Sequence, residues 1–235
     1  MTEHKEKFIQ AHATDNQRDI VEVLLSLRVN ALQISPELRK NLVYELIRND
    51  IFLIGTKQRN KFLLSLLSIE KKSLRHALLA LVSVIVSTLK GAEYLTQINM
   101  DIVKKIVDIL QEEEDGSVNQ RFCIAILQKV SIKESTVIFL VKTGIIEWVV
   151  DLIHRSLSKT VHVFSLDFGS ALLANILHAK ETSDYLSARP EQVANLLTTM
   201  IALIKEKIPT SVLMHMLICL SYLSKDQYKE ICDNH

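Results

Sequence analysis

The alternation of apolar and polar side chains over residues 139–177, FLVKTGIIEWVVDLIHRSLSKTVHVFSLDFGSALLANIL, predicts three helices in succession. A short apolar helix ends at Lys142-Thr143 and is broken by Gly144, because glycine takes up the left-handed backbone after a helix C-terminus without strain. In the second helix Ile145, Ile146, Val149, Val150, Leu152 and Ile153 form a wide apolar stripe and leave Glu147, Asp151 and His154 polar. Such a stripe has to be covered by neighbours. The third helix starts near Val161 and carries Phe164, Leu166, Ala171, Leu172, Leu173 and Ile176, with apolar residues on several faces, so it belongs between layers.

Three helices of this size bury too little to fold alone, which raises the question of recurrence. Ala171 aligns with Ala125 and Ile218, which places SALLANIL, CIAILQKVS and LICLSYLS in register at offsets of 46 and 47 residues. A further step of 46 reaches Leu79 in HALLALVSV. Tyr94-Leu95, Phe139-Leu140 and Tyr185-Leu186 recur at 45 and 46 residues, each shortly before a longer apolar helix. A period near 46 with three helices per unit falls in the armadillo and HEAT range. The expected fold is all-α: an armadillo/HEAT-like right-handed helical solenoid of about four three-helix repeats.

Helix punctuation sets the expected boundaries. Residues 1–14 read as a flexible lead. Residues 15–34 read as an N-terminal capping helix started by Asp15 or Asn16 and carrying Ile20, Val23, Leu24 and Leu27. Repeat one covers 35–91 and opens on Ser35-Pro36, a hydroxyl cap followed by a proline whose missing N–H is harmless there. Its second helix is expected over 51–68, and its third over 71–89, ending at Gly91. Repeat two covers 92–131, with the acidic run Glu112 to Asp115 and Gly116 in a solvated loop. Repeat three covers 132–180 and repeat four 181–224, with restarts at Pro190 and Pro209. Residues 225–235 form a C-terminal tail that begins a helix at DQYKEI.

Composition supports one largely helical array. Five glycines and three prolines in 235 residues leave few breaks. Lys plus Arg is 28 against 27 for Asp plus Glu, and the net charge of +1 supplies no global field for nucleic acid. The opening MTEHKEKFIQ lacks a signal-peptide apolar core, and the three cysteines, Cys123, Cys219 and Cys232, suit buried thiols in a reducing compartment. The longest uncharged run, residues 77–89, has 13 residues where a bilayer span needs roughly 20, so no membrane span is expected.

The residues then resemble a known family. LVKTGIIEWVVDLIHRS is similar to the armadillo pattern of short helix, glycine and apolar second helix. The order EYLTQIN, LQEEEDGSVNQRFCIAILQKVS, GIIEWVVDLI and FSLDFGSALLANIL resembles an armadillo-repeat ciliary protein family from about Asp19 to Leu223. Members of that family carry an N-terminal LisH motif and a coiled coil, and neither pattern is present in these 235 residues. The resemblance implies third helices lining a concave face, with Asn175 as a groove asparagine and Ser83, Lys129 and Tyr222 at the equivalent positions. Four residues earlier, where peptide-binding armadillo proteins carry tryptophan, stand Leu79, Ala125, Ala171 and Ile218. That argues against an importin-like receptor for basic peptides. The opposing reading of Asn175 is a buried amide satisfied by neighbouring backbone.

Catalytic constellations are missing from the sequence. Asp167-Phe168-Gly169 spells the kinase magnesium triplet, but it lies in a helical stripe without a glycine-rich loop, a strand lysine or an HRD triplet. His215 and Cys219 share a helix face, yet a zinc site needs three or four ligands and the neighbours are Leu213, Met214, Met216 and Leu217. His154, His162 and His178 lack partners at ligand spacing, and Trp148 reads as core. We therefore expect no enzyme activity, no cofactor and no metal. Two surfaces stand out. Lys57, Arg59, Lys61, Lys71, Lys72 and Arg75 crowd repeat one with Glu70 alone opposing them, which is either a solvated face or a patch for an acidic partner such as a tubulin tail. In repeat four the run Leu213 to Leu223 is too apolar for every side chain to point inward, so Met214 and Leu217, with Tyr228 beyond, form a candidate docking surface and favour self-association.

The function expected from the resemblance is a scaffold of the cilium, in the cytoplasm and cytoskeleton at the basal body, axoneme or tip. Its partners would be other ciliary or microtubule-associated proteins, and its role to support cilium assembly or stability. The alternative, resting on fold alone, is a soluble peptide-binding cargo or signalling adaptor.

Overall fold

The computed structural model describes residues 2–14, 16–55, 61–98, 100–158 and 161–233, with side chains described from residue 5 to 224 within these ranges. Fourteen α-helices and no strand occur among the described residues, and the chain divides into two compact units, 1–113 and 114–235.

The first unit opens with α1 (Thr2–Ala13) and α2 (Gln17–Gln33). The flexible lead expected over 1–14 is instead a helix, because Phe8 and Ala11 are buried and Phe8 stacks edge-on against Phe52 and Phe62. Charged residues around one aromatic disguised that anchor. Asn16 caps α2 by accepting from the Asp19 N–H, and Ile20, Val23, Leu24, Leu27 and Ala31 bury one face of it. Helices α3 (Pro36–Arg48), α4 (Lys61–Leu67) and α5 (Lys72–Ile85) follow, and Ser35 caps α3 through the Leu38 N–H.

The second helix of this repeat does not begin at Ile51. Asp50 and Leu53 both take positive φ, 46° and 54°, and end helical geometry. The Asp50 carboxylate holds the loop by accepting from the N–H groups of Ile54 and Gly55 at 2.8 and 3.0 Å. Nor does α5 run to Leu89. It stops at Val86, and α6 (Leu89–Thr96) starts from a Thr88 cap, so Gly91 lies inside a new helix and not at the end of the old one. A Cβ on Gly91 would collide with the Ile85 carbonyl, so glycine serves here for a close approach of two helices. The unit ends with α7 (Asp101–Glu112).

The second unit holds α8 (Val118–Val130), α9 (Glu134–Leu140), α10 (Ile145–Ser158), α11 (Val163–Leu177), α12 (Lys180–Ser187), α13 (Pro190–Lys205) and α14 (Thr210–Asp233). Gly144, between α9 and α10, has φ 77°. Gly169 sits in α11 facing Leu152 of α10, so the triplet Asp167-Phe168-Gly169 is a helix-packing feature. Helix α14 continues unbroken through the residues assigned to a separate tail, because nothing between Ser224 and Asp233 interrupts its backbone.

Packing follows helix class. In the first unit α2 packs on α5, α3 on α6 and α4 on α7. In the second, α8 packs on α11, α11 on α14 and α10 on α13. Within each unit these helices lie against their counterparts in the next repeat, and the interiors are closed by Leu, Ile and Val side chains at or near zero exposure.

Candidate functional site

Two of the polar side chains singled out by sequence, Asn175 and Tyr222, meet residues one repeat away. Asn175 on α11 is half-buried, and its amide donates to the Gln128 carbonyl at 3.1 Å and to the Ser131 hydroxyl at 2.9 Å. Its nitrogen is engaged in the seam between α8 and α11. Tyr222 on α14 stands 3.0 Å from His178 Nδ1 at the next seam, with the two rings edge to face. Lys129 is half-buried on α8, beside the Gln128 carbonyl that Asn175 uses. Ser83, in the first unit, turns its hydroxyl back onto the Ala80 carbonyl at 2.8 Å. The structure joins Asn175 and Tyr222 to neighbouring seams and not to one pocket.

The histidines read as isolated also meet residues about one repeat away. His154 Nδ1 is 2.6 Å from the Thr199 hydroxyl, Ser170 is 3.2 Å from His215 Nδ1, and Arg121 is 3.0 Å from His162 Nε2. Cys219 is fully buried and its thiol donates to the Ser170 carbonyl at 3.8 Å; burial pushes its pKa up to about 12. Trp148 is half-buried and not enclosed in the core. Sequence reasoning missed these seams because each contact spans about one repeat. The 46-residue register was their signal: pairing each polar residue with the one a repeat away brings His154 to Thr199 and Ser170 to His215. Among the described residues no group of three or more His, Cys, Asp or Glu side chains could hold a metal ion.

A pocket of about 430 Å³ lies in the second unit between α8, α10 and α11, where Leu152 and Val161 line it together with Asp115, Gln120, Arg155, His162 and Ser165. Arg155 pairs with both Asp115 and Asp151.

The basic patch is smaller than expected. Arg75 is largely covered and pairs with Glu113 at 3.6 Å, an acid the sequence placed two helices away. Lys61, Lys71 and Lys72 are exposed, and Lys57 and Arg59 lie outside the described residues. At the other end of the chain, Met214, Leu217 and Ile218 on α14 are exposed by 53%, 46% and 40%, whereas Val212, Met216, Cys219 and Leu223 of the same helix are buried. The Tyr228 side chain lies outside the described residues. No described helix is long and apolar enough to cross a membrane.

No protein-family model matches the chain. The structure is similar to a designed armadillo repeat protein, YIII(Dq)4CqI, with a TM-score of 0.61 and 14% identity, over 88% of this chain and 76% of that one. In sequence, LisH domain-containing protein ARMC9 of Rattus norvegicus is 25% identical over 140 residues, 60% of this chain and 19% of that protein. The same protein of Danio rerio is 24% identical over 165 residues, 70% of this chain and 20% of that protein. The chain therefore spans about a fifth of the length of the curated relatives it matches. By fold this is an armadillo-repeat chain, and its sequence is distantly similar to LisH domain-containing protein ARMC9.

Proposed function

We propose that this chain is a non-enzymatic repeat scaffold of the cilium, at the basal body, axoneme or tip, where it binds other ciliary or microtubule-associated proteins and supports cilium assembly or stability. The observation that carries this reading is the similarity to LisH domain-containing protein ARMC9 over 60–70% of the chain, borne on a repeat fold whose long faces suit protein binding. The family resembled is ciliary, and the ciliary part of the reading rests on that resemblance. The exposed Lys61, Lys71 and Lys72 give the first unit a basic surface for an acidic partner such as a tubulin tail, with affinity that falls as salt rises. The groove reading of Ser83, Lys129, Asn175 and Tyr222 is the weaker one, since the Asn175 amide nitrogen already serves the seam.

The test is the distribution of a tagged copy in ciliated cells extracted with detergent. Retention on centrioles or axonemes supports the scaffold. Free exchange between nucleus and cytoplasm supports the soluble adaptor instead.

A further inference from the structure

The open face of α14 has covered counterparts earlier in the second unit. Met214 and Leu217 stand 47 residues after Asp167 and Ser170 of α11, where α14 packs down, His215 meets Ser170 and Asp167, and Ser170 is fully buried. One repeat earlier still, Arg121 and Ile124 of α8 occupy the same positions and are met by α11. That face of a third helix is therefore a seat for the third helix of a following repeat. On α11 it is polar and occupied; on α14 it is Met214 and Leu217, both exposed, with Ile218 beside them.

A helix of the class this seat accepts is present in the first unit with an uncovered apolar stripe. Helix α2 packs on α5 as α8 packs on α11, which makes it a third-class helix. One of its faces is buried by Ile20, Val23, Leu24, Leu27 and Ala31. On another, Leu25, Val29 and Leu32 recur at spacings of four and three residues and are exposed by 36%, 45% and 48%. Three apolar side chains at that spacing form a continuous stripe along a helix. A net charge of +1 opposes association only weakly.

We infer that the α14 face of Met214, Leu217 and Ile218 seats the α2 stripe of Leu25, Val29 and Leu32 from a second copy of this chain. The inference is independent of where in the cell the protein acts. The interface is heterologous, using a different surface on each copy, so association runs on into longer assemblies or closes as a ring and does not stop at a symmetric dimer.

Sedimentation velocity over a concentration series tests it, using the whole chain and two double variants, M214E/L217E and L25E/V29E. The unmodified chain forms species beyond the dimer as concentration rises. Each variant alone sediments as a monomer, because one of its two faces is disabled. An equimolar mixture of the two recovers a dimer and nothing larger, since the intact α2 stripe of the first meets the intact α14 face of the second. Circular dichroism checks that both keep their helix, and the milder M214Q/L217Q and L25Q/V29Q replace either that does not. A monomeric unmodified chain, a variant that associates undiminished, or a mixture that stays monomeric overturns the inference.

Discussion

The phenol of Tyr94 on α6 donates to the Asp50 carboxylate at 2.6 Å and accepts from the Phe52 N–H at 3.1 Å, tying the start of one repeat to the irregular loop of the repeat before it. Asp50 also binds the N–H groups of Ile54 and Gly55, so one carboxylate satisfies three donors across the loop. A loop with two left-handed non-glycine residues needs such a centre to persist.

Removing the phenol oxygen leaves the buried Phe52 N–H without an acceptor, a loss of about 1–3 kcal/mol for a buried group. Tyr94→Phe should therefore lower stability by about 2 kcal/mol in urea unfolding. Asp50→Ala should cost more, because the loop amides lose their acceptor as well. Asp50→Asn, which keeps an oxygen and tolerates the left-handed backbone, should cost less than Asp50→Ala. Equal losses for the two Asp50 variants would show that the carboxylate does not organise the loop.

Gly91 gives a second local test. A methyl group there meets the Ile85 backbone carbonyl, which has no rotamer to escape into, so α6 must shift against the end of α5. Gly91→Ala normally favours a helix by up to about 1 kcal/mol. Here overpacking of roughly 1–3 kcal/mol should dominate and the melting temperature should fall. A melting temperature that rises would mean the approach is looser than described.

Alkaline pH should destabilise the fold. Burial, and then the hydrogen bond to Asp50 and its charge, raise the Tyr94 phenol well above the usual tyrosine value, while burial pushes Cys219 up to about 12. Both groups are neutral when protonated, and the unfolded chain gives up these protons first, near about 8.5 for cysteine and about 10 for tyrosine. Their contribution is complete below those values and is lost as pH rises toward the folded ones. Melting temperatures should hold steady up to about pH 8, then fall, more steeply above about pH 10. Cys219→Ala should flatten the first part of that fall and Tyr94→Phe the second; unchanged slopes in both variants would contradict the assignment.

The repeat was legible because its signal is redundant. Ala125, Ala171 and Ile218 mark the same helix three times, and Ser35-Pro36 and Gly144 punctuate it with residues whose backbone preferences are strong. The boundaries that sequence misplaced turn on long-range contacts. Asp50 holds a loop where a helix is expected to start at Ile51, with Tyr94, 44 residues on, as a partner, and Gly91 lies inside a helix at a close approach to the Ile85 carbonyl. Phe8 anchors α1 through Phe52 and Phe62, which a local window over a charged segment does not contain. The basic patch thinned for the same reason, since Glu113 reaches Arg75 only in the folded unit. The exposed α14 stripe was legible as a surplus of apolar residues, but which of them face outward depends on where α11 and α13 pack.

The ciliary scaffold reading meets its most direct test in a co-sedimentation measurement. The purified chain is mixed with detergent-extracted axonemes at increasing concentration, and the fraction that pellets is compared with that of a designed armadillo repeat protein of matched charge. The reading predicts saturable binding by this chain, reduced at raised salt and by reversing Lys61, Lys71 and Lys72 to Glu, with none by the control. Recovery of the chain in the supernatant at every concentration, in the same proportion as the control, would contradict it.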